Sequence, residues 1–146
     1  YGEGNFIPET KTEAHRQYLY WLHFAEGTMM QQLLLKLILE KAVQRSKPFF
    51  VKYIAKAIMQ KVMAGYVGPN ITANLALIER HLTDNEWFAG DKLSGADIQM
   101  SFPLEAWAAR KTVDQNYPNI IAYVKRFQAR AGDQKALKSG GTYDYA

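Results

Sequence analysis

At 146 residues and 48% hydrophobic content, the chain is long enough for one domain with a substantial core and too short for two comfortable ones. The sequence contains no cysteine, which excludes disulfides, thiolate metal sites, thiol catalysis and redox sensing within these residues. A net charge of +4 does not point to nucleic acid, because the lysines and arginines occur singly among acidic residues, whereas a phosphate track needs clustered cations.

The opening Tyr1-Gly2-Glu3-Gly4-Asn5 is polar and turn-forming, unlike a signal peptide, and a start at Tyr1 reads as a processed or excised fragment. Gly2, Gly4 and Pro8 mark a leading loop. Thr10 and Glu13 then have capping-box spacing, which predicts a first helix from Lys11 to Arg45. Along it Ala14, Tyr18, Leu22, Ala25, Met29 and Leu33 recur mostly in four-residue steps and form a core stripe, with Tyr20 and Phe24 pointing away from it. The second half of this helix is apolar nearly all round and must bury a second face against something else. Its cluster Leu33 to Leu39 is interrupted by Lys36 and falls far short of the roughly 20 residues needed to cross a bilayer, so no membrane partner is expected.

Ser46 and Pro48 restart the chain, and Phe50, Ile54, Ala57, Ile58 and Val62 form the stripe of a second helix up to Gly65. The run Gly65 to Asn70 reads as a break, followed by a third, shorter helix through Leu75, Ile78 and Leu82 that ends before Thr83. The next helix start is signalled twice. Ser94 caps with its hydroxyl, Asp97 three residues on reaches back to the Ser94 amide, and Leu93 with Ile98 has the spacing of a hydrophobic staple. This fourth helix is predicted from Ser94 to about Arg110, kinked near Gln99 to Pro103 by Pro103. Tyr117-Pro118 opens a fifth with Ile120, Val124 and Phe127 inward, Asp133 to Leu137 adds one more turn, and Gly140-Gly141 ends regular structure. No stretch alternates with period two, so the domain is read as all-α.

The chemistry is sparse. His15, His23 and His81 lie far apart in the sequence with no ligand spacing, so no metal site is expected. His23 and Glu26 are three apart, a spacing that favours an exposed pair over a catalytic dyad. The Ser94 oxygen is engaged in capping, and Asp97 has a sufficient structural role. With no nucleophile, metal or phosphate loop, the residues alone describe a helical binding or docking domain.

Several of these segments carry a resemblance. Trp87-Phe88-Ala89-Gly90-Asp91 followed by Leu93-Ser94-Gly95-Ala96-Asp97-Ile98, with Tyr18-Leu19 through Trp21, Ala25-Glu26-Gly27-Thr28, Ser101-Phe102-Pro103-Leu104-Glu105 and Tyr117-Pro118, resembles the C-terminal helical domain of cytosolic glutathione transferases of bacterial and fungal type. The resemblance covers essentially the whole chain. It implies an all-α bundle of five to six helices over residues 11–146, preceded by residues 1–10 as the remnant of a linker from an absent N-terminal thioredoxin-like domain. That domain would hold most of the glutathione, a co-substrate and not a permanently bound cofactor, and its Tyr, Ser or Cys would generate the attacking thiolate. A cysteine there would favour peroxidase or reductase chemistry instead.

The resemblance further implies conjugation to hydrophobic electrophiles, a homodimer and a cytoplasmic location. The helical domain would contribute no catalytic residue, form the electrophile-pocket wall and part of the dimer surface, and be inactive alone. Ala25 to Thr28 matches the segment bordering the cleft, so Glu26 and Met30, which share a helix face, are the first substrate-binding candidates, with Phe24 and Thr28 after them. Leu93, Ser94, Asp97 and Ile98 match the family's structural box and staple. The alternative is a non-enzymatic assembly or ligand-binding module built on the same domain. Ala131-Gly132-Asp133 departs from the proline-containing run expected near the end, and Tyr143 and Tyr145 either cap the pocket or, the favoured reading for a terminal tail, trail in solvent.

Overall fold

A computed structural model describes residues 4–109, 116–141, 143 and 145, and every regular element among them is helical. Tyr1 to Glu3 of the leading loop and the expected helix end at Arg110 lie outside the described residues. Helix α1 (Glu13–Phe24) passes through a π-helical segment, Ala25–Met30, into α2 (Gln31–Arg45), so the single helix read from the sequence is one rod whose winding changes midway. Its N-cap is Thr12 and not Thr10. Lys11 adopts a left-handed φ of 67°, and the extended Thr12 then accepts the His15 amide on Oγ1 at 3.1 Å.

Helix α3 (Phe49–Val62) likewise continues through π turns, Met63–Val67, into α4 (Gly68–Asp84). The expected break at Gly65 to Asn70 is therefore absent. The Gly68 amide donates to the Met63 carbonyl, and a Cβ at Gly68 would lie 2.7 Å from that oxygen, so only glycine fits the widened turn. Pro69 falls in the first turn of α4, where a missing amide costs nothing. Helices α5 (Gly95–Ala108), α6 (Pro118–Gln128) and α7 (Ala131–Gly140) complete five rods among the described residues. The last is ten residues long instead of one turn, with Asp133 in its first turn where a carboxylate suits the helix N-terminus.

Helix α5 is central and buried on several sides, as its mixed set of buried residues requires, from Ala96 and Asp97 through Met100 and Leu104 to Glu105. Helix α1, the π segment that follows it and α6 pack against it, and α4 packs on α6. The N-terminus of α6 is supplied from α4, where the two Glu79 carboxylate oxygens accept the Asn119 and Ile120 amides at 2.8 and 2.9 Å. Helix α3 differs from all of these. It packs on α2 and buries no residue, and the stripe Phe50, Ile54, Ala57 and Ile58 faces outward instead of into the core, because the α2–α3 hairpin extends past the core cluster.

Candidate functional site

Stepping by four residues overshoots a 3.6-residue turn by about 40° each time. The π segment offsets that drift, which keeps Ala25, Met29 and Leu33 all buried along one line while Glu26 and Gly27 stay exposed and Thr28 and Met30 are half-buried. Such segments recur at functional sites because they re-aim side chains without ending the helix. Here the Glu26 carboxylate is brought against α5, where Gln99 Nε2 donates to its Oε1 at 2.6 Å. The observed partner of Glu26 is thus Gln99, 73 residues away, and not the sequence neighbour His23. No local signal in the sequence links the two.

Phe24 is placed differently from the expectation. It is 8% exposed and packs edge-on against Trp21 at 5.1 Å between ring centroids, so it belongs to the core and does not line a cleft. The inward line of α1 is set by Trp21, Phe24 and Ala25, one step round from the predicted Tyr18 and Leu22, which are only partly buried. Tyr20 does face outward, stacked on Phe24 at 5.8 Å.

The α5 start carries the densest polar network. Asp97 is fully buried; its Oδ2 accepts the Ser94 amide at 2.8 Å and the Ser94 hydroxyl at 2.9 Å, and its Oδ1 accepts the Phe88 amide at 2.8 Å. The Ser94 side chain receives the Asp97 amide in return, which closes the capping box. Tyr123 of α6 donates its hydroxyl to the Asp97 carbonyl at 3.1 Å. Burial holds the Asp97 carboxyl above its ordinary range, opposed by the Phe88 and Ser94 donors. A Cβ at Gly95 would lie 3.3 Å from the Tyr18 ring, closer than ordinary contact, so a larger residue there would require that ring to shift. Of the staple pair, Leu93 packs on the core while Ile98 is 48% exposed, because Ile98 lies on the side of α5 away from that cluster.

His81 is structural as well: its Nε2 lies 3.0 Å from the Phe88 carbonyl, its ring stacks on Phe88, and burial pushes its pKa down. A second polar group sits at the far end of α5. Glu105 is buried, and Tyr143 donates to its Oε2 at 2.6 Å across a cavity of about 290 Å³ that Phe102, Asp133 and Leu137 also line. The Tyr145 ring meets Phe102 at 5.8 Å, and its carbonyl accepts Gln128 Nε2 at 3.1 Å, so these two tyrosines fold back on the domain instead of trailing in solvent. Burial raises the Glu105 carboxyl above its usual range, and burial followed by the Glu105 contact raises the Tyr143 phenol. Among the described residues no group of three His, Asp or Glu is placed to hold a metal.

Residues 42–131 match the family described as Glutathione S-transferase, C-terminal domain. Glutathione S-transferase 3 of Schizosaccharomyces pombe is 32% identical over 92% of this chain and 54% of its own length. Glutathione S-transferase 1 of Saccharomyces cerevisiae is 30% identical over 85% of this chain and 56% of its own. Among solved structures, a glutathione S-transferase from Actinobacillus pleuropneumoniae superposes with a TM-score of 0.67 at 25% identity, covering 94% of this chain and 55% of that one. A glutathione transferase from Methylococcus capsulatus does so at 0.62. The chain spans about half the length of the curated relatives it matches.

Proposed function

Because this chain belongs to the glutathione S-transferase C-terminal domain family, we propose that it is the helical half of a cytoplasmic, homodimeric transferase that conjugates glutathione to hydrophobic electrophiles. The match over residues 42–131 carries this reading. Residues 1–10 are the linker and 11–146 the helical domain; a thioredoxin-like domain supplies the group that activates the glutathione thiol as thiolate. The chain's own share is binding. Glu26, exposed at the π segment and held by Gln99, offers a carboxylate to the ammonium of the peptide, and half-buried Met30 and Thr28 offer an adaptable apolar wall to the electrophile.

The test compares the longer protein with the 146-residue chain in conjugation of glutathione to a simple aromatic halide. The longer protein is expected to be active and the chain alone to stay at the uncatalysed rate. Activity of the chain alone refutes the division of labour. In the longer protein Glu26→Gln is expected to raise the Kd for glutathione several-fold with little change in stability, and an unaltered Kd removes Glu26 from the binding site.

A further inference from the structure

The hydrogen bond between Gln99 and Glu26 joins two backbones that are separately fixed. Ala25 and Met29, on either side of Glu26 in the π segment, are fully buried, so the rod cannot turn at that point. On α5, Asp97 and Met100 lie on either side of Gln99, both are fully buried, and the capping box anchors the first turn. Across the gap between these two lines, Gln99 Nε2 donates to Glu26 Oε1 at 2.6 Å. Glu26 is exposed and Gln99 half-buried, so water would serve either group if the other were lost, and the bond adds little to folding stability. Its consequence is positional: a long, exposed carboxylate with several free rotors is held to one place.

We propose that Gln99 is the positioning residue for Glu26, ordering its carboxylate for the ammonium of glutathione, and that a neutral donor is required in this role. The proposal rests on Glu26 being the acceptor of that ammonium. The bond takes Oε1, so the ligand is offered Oε2 of an exposed carboxylate. A carboxamide orders Glu26 without neutralising it. Lysine at this position would also donate, yet its cation would offset the charge that draws the ammonium. Ordering in advance bears on affinity because a rotor-rich side chain immobilised only on binding weakens the complex by a factor of about two to ten. The two residues come from helices packed against each other, α5 and the π segment, so the acceptor for the ligand depends on a donor that the cleft-bordering rod does not itself carry.

The experiment is calorimetric titration of the longer protein with glutathione and with glutaryl-cysteinyl-glycine, which differs from glutathione only in lacking the amino group. The parent is compared with Gln99→Ala, Gln99→Lys, Glu26→Gln and the double variant Glu26→Gln/Gln99→Ala. Gln99→Ala is expected to raise the Kd for glutathione about two- to tenfold and to leave that for the glutaryl peptide unchanged. In the Glu26→Gln background the same substitution is expected to add nothing, because the carboxylate that Gln99 orders is gone. Gln99→Lys is expected to weaken glutathione as well, and the urea midpoints of the Gln99 variants should match the parent. The positioning role is overturned, with that of Glu26 left standing, if Glu26→Gln raises the Kd for glutathione and Gln99→Ala does not. It is also overturned if Gln99→Ala weakens both peptides alike, or if Gln99→Lys binds glutathione as tightly as the parent. If Glu26→Gln leaves the Kd unaltered, the binding role of Glu26 fails and the positioning role falls with it.

Discussion

Replacing Asp97 by alanine removes the acceptor of two buried backbone amides, Phe88 and Ser94, and of the Ser94 hydroxyl. The hydroxyl can rotate to another acceptor, but the amides cannot, and each buried orphan costs about 1–3 kcal/mol. Relief from burying a carboxylate offsets part of this, so a net loss of about 3–5 kcal/mol is expected. At neutral pH that is a fall of about 10 °C or more in the melting midpoint of a domain this size. Ser94→Ala leaves both amides paired with the carboxylate and should cost only about 0.5–2 kcal/mol.

Asp97→Asn is the sharper perturbation. A capping box by itself accepts a carboxamide as well as a carboxylate. The observed site instead directs donors at both oxygens, so an asparagine must turn its NH2 toward one of them and is expected to lose most of what alanine loses. The assay is urea unfolding followed by circular dichroism, with slopes compared to confirm a common two-state transition. An Asp97→Asn variant within about 0.5 kcal/mol of the parent would refute the reasoning, because Asp97 would then be an ordinary cap residue.

Glu79→Ala should destabilise by about 1–2 kcal/mol in the same urea assay, since it strips the N-terminus of α6 of its two-oxygen acceptor, and Glu79→Gln by less. Glu105 has a folded pKa raised above its unfolded value, so the stabilisation it gives is full below the ordinary glutamate range and is lost as pH rises through the raised value. The stability of Glu105→Gln relative to the parent should therefore increase as pH rises above the ordinary glutamate range, and a difference that is flat or falls removes Glu105 as the titrating group. Tyr143→Phe removes the donor that opposes this shift, and should move the transition of the parent to higher pH in the same series.

The local signals were legible in proportion to how local their physics is. The box at Ser94 and Asp97 and the first-turn proline of α6 depend on residues within three or four positions, and both stand in the structure where the sequence puts them. The breaker reading of Gly65 to Asn70 failed because glycine and proline there serve a π turn and a first helical turn, a distinction that depends on how the two halves of the rod meet the core. The stripe of α3 failed for a different reason: periodicity identifies an apolar face and does not say what covers it. At the candidate site, Glu26 was visible in the sequence and its partner Gln99 was not.

By itself, the sequence determined the helical class, the lack of cysteine chemistry within these residues and the anchored start of the central helix, because these reside in composition or in contacts between near neighbours, while its motifs carried the resemblance to the family. Only the tertiary structure decided that Phe24 is core, that Glu79 caps α6, that Asp97 also holds the Phe88 amide, and that the apolar face of α3 looks outward. Each of those depends on which residues from distant segments arrive at the same place, and a spacing rule along one chain carries no information about that.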